Sequence, residues 1–295
     1  MHARLLKPEK IYKVVFVRHG QSAWNSSNQF TGWADVPLTQ KGIEQARAAG
    51  RRLKAQNWFF DIAYTSYLKR AVQTFNHVAD ELDCDWIPTH KHWRLNERHY
   101  GKLQGLNKKE TALEYGEDQV LKWRRSYDNP PPLLDSNDER HPRNDPQYAR
   151  IPPSVLPVGE SLQMTINRVV PYWEDTIAPA VMDGQKAIVV GHENVLRGLV
   201  QIFSGMSNDE ILAYNIPTAT PFVYEFDSDL NPLRHYYILG EDLDEEQLRK
   251  MEKEVGMQST SKHIDRPEIK CLDYEPISAE ERDARNTAAV DYKRI

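Results

Sequence analysis

The chain has 295 residues, 40% hydrophobic and 27% charged, with a net charge of −5. That is enough for one large α/β domain with a real core, and no apolar run approaches the ~20 residues of a membrane-spanning helix. All of the surplus negative charge belongs to residues 241–295; the neutral remainder argues against a nucleic-acid binder, which would carry a basic excess.

Met1–Lys13 lacks the apolar core of a signal peptide and reads as a short arm. Cys84 and Cys271 lie far apart and form no C-x-x-C pair. A disulfide framework or zinc site is thereby disfavoured, and a reducing cytoplasm is the expected location.

Residues 11–17 predict a buried strand that stops at Arg18-His19-Gly20. His19 then stands at the carboxyl edge of the strand, where open α/β sheets bind ligands. An imidazole there can act as a nucleophile, and the Arg18 guanidinium is a fixed anion clamp. Together they suggest a histidine that takes up a phosphoryl group. Asn25, Thr31 and Gly32 follow in the loop, with small polar groups and backbone N–H suited to phosphate oxygens.

A helix is predicted over 42–56, with Ile43, Ala46, Ala49 and Leu53 on one face. A second strand covers 61–66, and an amphipathic helix covers 68–82. Arg70 sits near the start of that helix, where the free N–H groups already favour an anion. A third strand is predicted over 85–89. Residues 93–101 are dense in titratable groups. Glu97 could exchange a proton with a substrate hydroxyl, and Arg98, Tyr100 and Lys108 could hold a carboxylate or phosphate. His90, His92, Glu97 and His99 are a rival reading as metal ligands, but their spacing matches no standard motif.

Residues 108–126 predict a helix ending in Trp123-Arg124-Arg125, whose two guanidiniums could hold a substrate anion if that end faces the crevice. Eight of the 18 prolines fall in 128–160, which reads as a long irregular excursion of the kind that forms lids or binding loops. Helix resumes at Ser161, a good N-cap. The run Ala187–Val190 predicts a buried parallel strand ending at Gly191-His192, with a helix from about Asn194. Strands at 221–227 and 233–239 follow, and then a helical patch at 243–255. If the strands before His19 and His192 are neighbours, both imidazoles face one crevice. The alternation implies a doubly wound, mostly parallel α/β sheet with helices on both faces. Residues 1–240 form its catalytic domain, the Pro-rich loop included, and 241–295 an acidic, partly helical C-terminal extension.

Several blocks together resemble the 2,3-bisphosphoglycerate-dependent phosphoglycerate mutases. They are Val17–Asn25, Phe30–Asp35, Tyr64–Arg70, Arg94–Gly101, Leu103–Lys108, Trp123–Arg125, Gly159–Leu162 and Asn215–Thr218, within a likeness running from about Lys13 to Gly240. The resemblance implies the phosphoglycerate mutase-like fold and glycolytic interconversion of 3- and 2-phosphoglycerate, primed by 2,3-bisphosphoglycerate and needing no metal. His19 would be the phosphorylated nucleophile. Arg18, Arg70 and His192 would hold the transferring phosphoryl group, and Glu97 would be the acid/base. Ser22, Asn25, Thr31, Gly32, Arg98, Tyr100, Lys108, Arg124, Arg125, Glu193 and Asn194 would occupy substrate-binding positions. The implied partner is a small phosphorylated three-carbon acid, not nucleic acid or membrane, and a homodimer or tetramer is open. A bisphosphoglycerate synthase or phosphatase of the same superfamily, or a catalytically impaired binding protein, are the alternatives.

Three departures stand out. Gln21 replaces a common Glu, and the tail is longer than usual. Above all, His192-Glu193-Asn194-Val195 has Glu193 and Val195 where the family usually has Gly and Ser. A carboxylate aimed at a phosphate opposes binding by about 1–4 kcal/mol. The other expectation is that Glu193 turns outward and leaves its N–H available.

Overall fold

The structure, a computed structural model, describes residues 10–258. Its strands are β1 (Tyr12–Arg18), β2 (Ile62–Thr65), β3 (Thr89–Lys91), β4 (Ala187–Gly191), β5 (Phe222–Phe226) and β6 (Pro232–Tyr237). They form one mixed sheet in the order β3-β2-β4-β1-β5-β6. The pairs β1/β4, β2/β4 and β2/β3 are parallel; β5 runs antiparallel to both β1 and β6. The helices are α1 (Ala23–Ser26), α2 (Gln40–Ala55), α3 (Lys69–Leu82), α4 (Lys108–Tyr115), α5 (Glu117–Arg125), α6 (Leu162–Tyr172), α7 (Ala178–Met182), α8 (Glu193–Ser204), α9 (Asn208–Ala213) and α10 (Glu245–Gly256).

Both faces of the sheet are covered, which is why β1 and β4 read as unbroken apolar runs rather than alternating ones. Side chains still alternate along each strand. Val14 and Phe16 of β1 join Val189 and the residues of α6 and α8 on one face. Val15 and Val17 join Ile188, Val190, Leu53, Phe75 and Val78 on the other, under α2 and α3. The antiparallel edge follows from the short turn between β5 and β6. There Asp227 accepts from the N–H groups of Asp229 (2.9 Å) and Asn231 (2.8 Å). Among the described residues no helix is long and apolar enough to cross a membrane.

The third strand lies later than predicted, at 89–91. Ile87 is buried from within a turn closed by its N–H on the Cys84 carbonyl (3.2 Å), and Pro88 has no N–H to give a ladder. The helix predicted over 108–126 is two helices, because the chain passes through Gly116 at φ +88. The excursion 128–160 contributes no residue to the cavity described below. It is a buttress: Tyr148 and Leu156 pack with Trp33 and Trp93, and the Tyr148 hydroxyl accepts from Asn96 (2.9 Å). α10 begins at Asp244, whose carboxylate caps Gln247 N–H (2.8 Å). The expectation for the tail beyond 258 lies outside the described residues.

Candidate active site

β1 and β4 are hydrogen-bonded neighbours, in register from Val14 with Ala187 to Arg18 with Gly191. Their carboxyl ends therefore deliver His19 and His192 side by side, with ring centroids 5.0 Å apart. The turn after His19 must be glycine. A Cβ on Gly20 would lie 2.3 Å from the Gly42 carbonyl oxygen, and one on Gly42 would lie 2.1 Å from the Gln21 carbonyl oxygen. The turn and the first turn of α2 thus meet backbone to backbone, which fixes where His19 points.

His19 Nδ1 lies 2.7 Å from the Gly20 carbonyl, which can only accept, so Nδ1 carries the proton. The lone pair is left on Nε2, where Arg70 Nε donates at 3.2 Å. Burial, then Arg70 and Arg18, hold the imidazole pKa well below its ordinary value. A buried, neutral imidazole with an oriented lone pair is the form a nucleophile requires.

Arg70 is itself fixed, its other nitrogens donating to Ala34 O (3.0 Å) and Gly32 O (2.8 Å). Burial lowers its pKa to about 10, which leaves it charged at neutral pH. Arg18 donates to Ile216 O at 2.5 Å. His192 Nε2 meets Ser66 Oγ at 2.8 Å, and its Nδ1 has no partner. Ser66 Oγ accepts from Leu68 N–H, so its hydroxyl proton is free to go to His192 Nε2. On that assignment Nδ1–H of His192 is a donor beside His19.

Glu97 is held from both ends. One carboxylate oxygen accepts from the N–H groups of Arg98 (2.7 Å) and Asn194 (3.2 Å). Its backbone carbonyl accepts from Trp33 Nε1 (2.5 Å) and Arg168 Nη2 (2.9 Å). Arg168, on α6, also forms a two-pronged ion pair with Glu160, at 2.7 and 2.9 Å. Glu160 in turn accepts from His99 N–H at 2.8 Å. This buried pair clamps the segment that carries Glu97 and Arg98 against α6.

A narrow, solvent-connected cavity opens in front of His19. Its wall includes Arg18, His19, Asn25, Thr31, Gly32, Arg70, Glu97, Tyr100, Lys108, Arg124 and Glu193. In the same wall, Lys108 Nζ (2.7 Å) and Arg124 Nη2 (3.2 Å) converge on one oxygen, the side-chain amide of Gln258. Burial and the neighbouring Arg124 push the Lys108 pKa well down. Two donor groups sharing one neutral oxygen could equally serve a carboxylate or phosphate oxygen.

Glu193 does not turn outward. It is buried between Arg18 (3.0 Å) and Arg125 (3.0 Å). Burial alone would raise its pKa, but Arg18 and Arg125 outweigh that and hold it far below the usual carboxylate range. The two ion pairs hold the carboxylate inside, at the first turn of α8. Val195, at the other departure, is a core residue of α8.

Of the residues expected to touch substrate, Asn25, Thr31, Gly32, Tyr100, Lys108, Arg124 and Glu193 line the cavity. Ser22, Arg98, Arg125 and Asn194 stand behind it. Ser22 caps α1, accepting from Asn25 N–H and donating to Asn25 Oδ1 (2.9 Å). Arg98 lies over the Tyr100 ring and donates to the Arg124 carbonyl. Asn194 donates to the Tyr100 hydroxyl at 3.3 Å. Arg125 serves Glu193 and the Val255 carbonyl (3.4 Å) at the end of α10. The rival metal grouping does not assemble. His90 and His92 stack on Tyr64 and Tyr172, and His99 Nδ1 accepts from Gly101 N–H (3.0 Å). Among the described residues no three His, Cys, Asp or Glu converge as a metal site.

Sequence reasoning missed Arg168, Arg197, Ser66 and Gln258. Arg197 is fully buried in α8, holding Asn194 Oδ1 (2.9 Å) and the Ile211 carbonyl. The available signal was a lone arginine inside each of two apolar helical runs, at 162–170 and 195–203.

A doubly wound sheet with a histidine pair and buried arginines at the carboxyl ends of its central strands defines a class of anion-binding α/β domain. Residues 14–238 match the family model of the histidine phosphatase superfamily, branch 1, and the chain belongs to that superfamily. Solved structures of similar fold include a mycobacterial glucosyl-3-phosphoglycerate phosphatase, 19% identical with a TM-score of 0.56, the match covering 77% of this chain and 97% of that one. A phosphoglycerate mutase from Bacillus anthracis is 19% identical with a TM-score of 0.55, covering 78% and 92%. The alpha-ribazole phosphatase from Shigella flexneri is 24% identical with a TM-score of 0.53, covering 75% and 94%. At these identities the likeness is one of fold.

Proposed function

We propose that this protein is a phosphoglycerate mutase, interconverting 3- and 2-phosphoglycerate through a phosphohistidine at His19 primed by 2,3-bisphosphoglycerate. The observation that carries the reading is a cavity lined by two groupings of basic residues. His19 with Arg18 and Arg70 forms one, and Lys108 with Arg124, meeting on a single oxygen, forms the other. A substrate with a phosphate at one end and a second anion a few bonds away matches both. A simple phosphatase needs only the first.

In the proposed reaction the substrate hydroxyl oxygen attacks the phosphorus on His19 Nε2 and the N–P bond breaks. Glu97 takes the hydroxyl proton. The bisphosphate so formed turns in the cavity. His19 Nε2 attacks the other phosphorus, that O–P bond breaks, and Glu97 returns its proton to the leaving oxygen. Arg18, Arg70 and His192 Nδ1–H stabilise the charge on the phosphoryl oxygens, which such a transfer chiefly needs. The residues suited to hold the primer are the same set, with Lys108 and Arg124 on its second phosphate. The buried Arg98 has two nitrogens without partners and supplies further positive charge close behind.

Hydrolysis is the second reading. It is favoured by Glu193, whose charge offsets Arg18 and Arg125 and so weakens the hold on a second anion. The full-length protein, incubated with 3-phosphoglycerate and a trace of 2,3-bisphosphoglycerate, should yield 2-phosphoglycerate. Mass spectrometry should find one acid-labile phosphoryl group, lost in His19→Ala. Release of inorganic phosphate with no 2-phosphoglycerate would overturn the mutase reading in favour of the phosphatase.

A further inference from the structure

Glu193 poses a physical question that the reaction scheme leaves unanswered. The carboxylate lines the cavity, yet both of its oxygens are committed to guanidiniums at 3.0 Å. One of them, Arg18, flanks His19. The other, Arg125, does not line the cavity and ties Glu193 to the end of α10 through the Val255 carbonyl. A fixed negative charge thus sits in the wall that His19, Lys108 and Arg124 also line. Its field reaches both groupings, raising the affinity of His19 and of Lys108 for a proton.

We propose that Glu193 is a specificity-determining residue: a built-in counter-anion that selects singly phosphorylated acids over bisphosphorylated ones in the unphosphorylated enzyme. This rests on the mutase reading and deepens it. A ligand entering the cage already finds one anion resident. The penalty scales with the charge that ligand brings. A phosphate ester with a carboxylate at its far end carries about three negative charges near neutral pH, and the corresponding bisphosphate about five. Over about 8–10 Å, at an effective dielectric constant of about 30–40, the two extra charges convert the Glu193 field into roughly 10–100-fold discrimination.

The same logic limits the effect. Phosphorylated enzyme with monophosphate and free enzyme with bisphosphate carry the same total charge. Glu193 therefore acts on which ligand the resting enzyme captures and how readily the bisphosphate leaves. Its field does not, through net charge, shift the equilibrium of the enzyme-bound transfer. A glycine here would leave the charge of Arg18 in the wall, and of Arg125 behind it, unneutralised toward the larger ligand.

The test uses full-length protein in a His19→Ala background, where neither ligand can react, with 3-phosphoglycerate and 2,3-bisphosphoglycerate titrated separately by calorimetry. Glu193→Gln should tighten the bisphosphate about 10–100-fold more than the monophosphate. Glu193→Asp, which keeps the charge, should leave that ratio within about twofold. Glu193→Gly opens both guanidiniums to water and is the second neutral variant if Glu193→Gln does not accumulate as folded protein. A ratio unmoved in the neutral variants, with both ligands binding, overturns the inference alone. No binding of either ligand by the parent protein overturns the mutase reading and the inference with it.

Discussion

Removing Arg168 should separate the site's geometry from its chemistry. Arg168 donates to Glu160 Oε1 (2.7 Å), Glu160 Oε2 (2.9 Å), Arg94 O (2.6 Å) and Glu97 O (2.9 Å). Its side chain is 9% exposed and that of Glu160 3%. Arg168→Met keeps most of the volume and strands the Glu160 carboxylate with only the His99 N–H. Leaving one member of a buried pair uncompensated costs about 3–5 kcal/mol. For a domain of this size that is a fall of roughly 6–20 °C in Tm. Urea unfolding should return the same destabilisation. Adding Glu160→Gln should recover part of it, with a coupling of about 2 kcal/mol or more in the double-mutant cycle. Because the lost bonds also hold the Glu97 carbonyl, kcat should fall about 100-fold while KM moves much less. A stability loss below about 1 kcal/mol, or a double variant no better than the single one, would refute the clamp.

Two further outcomes follow from the backbone and from burial. Gly20→Ala brings a Cβ to 2.3 Å from a backbone oxygen that cannot rotate aside, so it should cost about 2–3 kcal/mol in chemical unfolding and depress phosphoryl uptake by His19 even in the folded fraction. His99 is buried, and desolvation outweighs the attraction of Glu160 to push its pKa down to about 4. The unfolded chain protonates near 6.5, so between pH 6.5 and 4 it binds a proton the native protein does not. This contribution is full above pH 6.5 and is lost as pH falls, by at most about 1.4 kcal/mol per pH unit. Urea titrations at pH 7.5, 6.0 and 5.0 should show that slope, and His99→Gln should reduce it; equal slopes would contradict the assignment.

The parts of the site legible in the sequence are those set by local rules. The period of the apolar runs placed His19 and His192 at strand ends, and Gly20 marked the turn. Arg70 was visible because it opens a helix directly after a strand. What was not legible depends on meetings between distant segments. Glu193 could be recognised as a departure, but its direction is decided by Arg18 and Arg125, from two other parts of the chain. Glu160 and Arg168 are adjacent only because α6 lies over the 93–101 segment. The Pro-rich excursion could be recognised as irregular, yet nothing local distinguishes a lid from a buttress. The third strand failed on a local point: Ile87 is apolar and β-branched, but the Pro88 that follows begins the ladder late.

The electrostatic balance around the cavity bears on why the site takes the form it does. Arg18, Arg98, Arg124, Arg125 and Arg197 are all buried here, with Lys108 beside them, against the carboxylates of Glu97 and Glu193. Arg18 Nε, Arg98 Nε and Nη1, and Arg197 Nε have no hydrogen-bond partner. Each buried, unsatisfied donor on a cation costs folding stability, commonly about 1–3 kcal/mol. A protein selected for stability alone would have covered this region with apolar side chains, which fill such a volume at no desolvation cost. The fold instead holds the cations apart by backbone carbonyls: Ile216 for Arg18, Arg124 for Arg98 and Ile211 for Arg197. Carbonyls orient a guanidinium without cancelling its charge. Glu193, in the cavity wall, does cancel charge, pairing with Arg18 and Arg125. Positive charge that is oriented but not neutralised is a binding site held open for an anion, and Glu193 sets how much anion it takes.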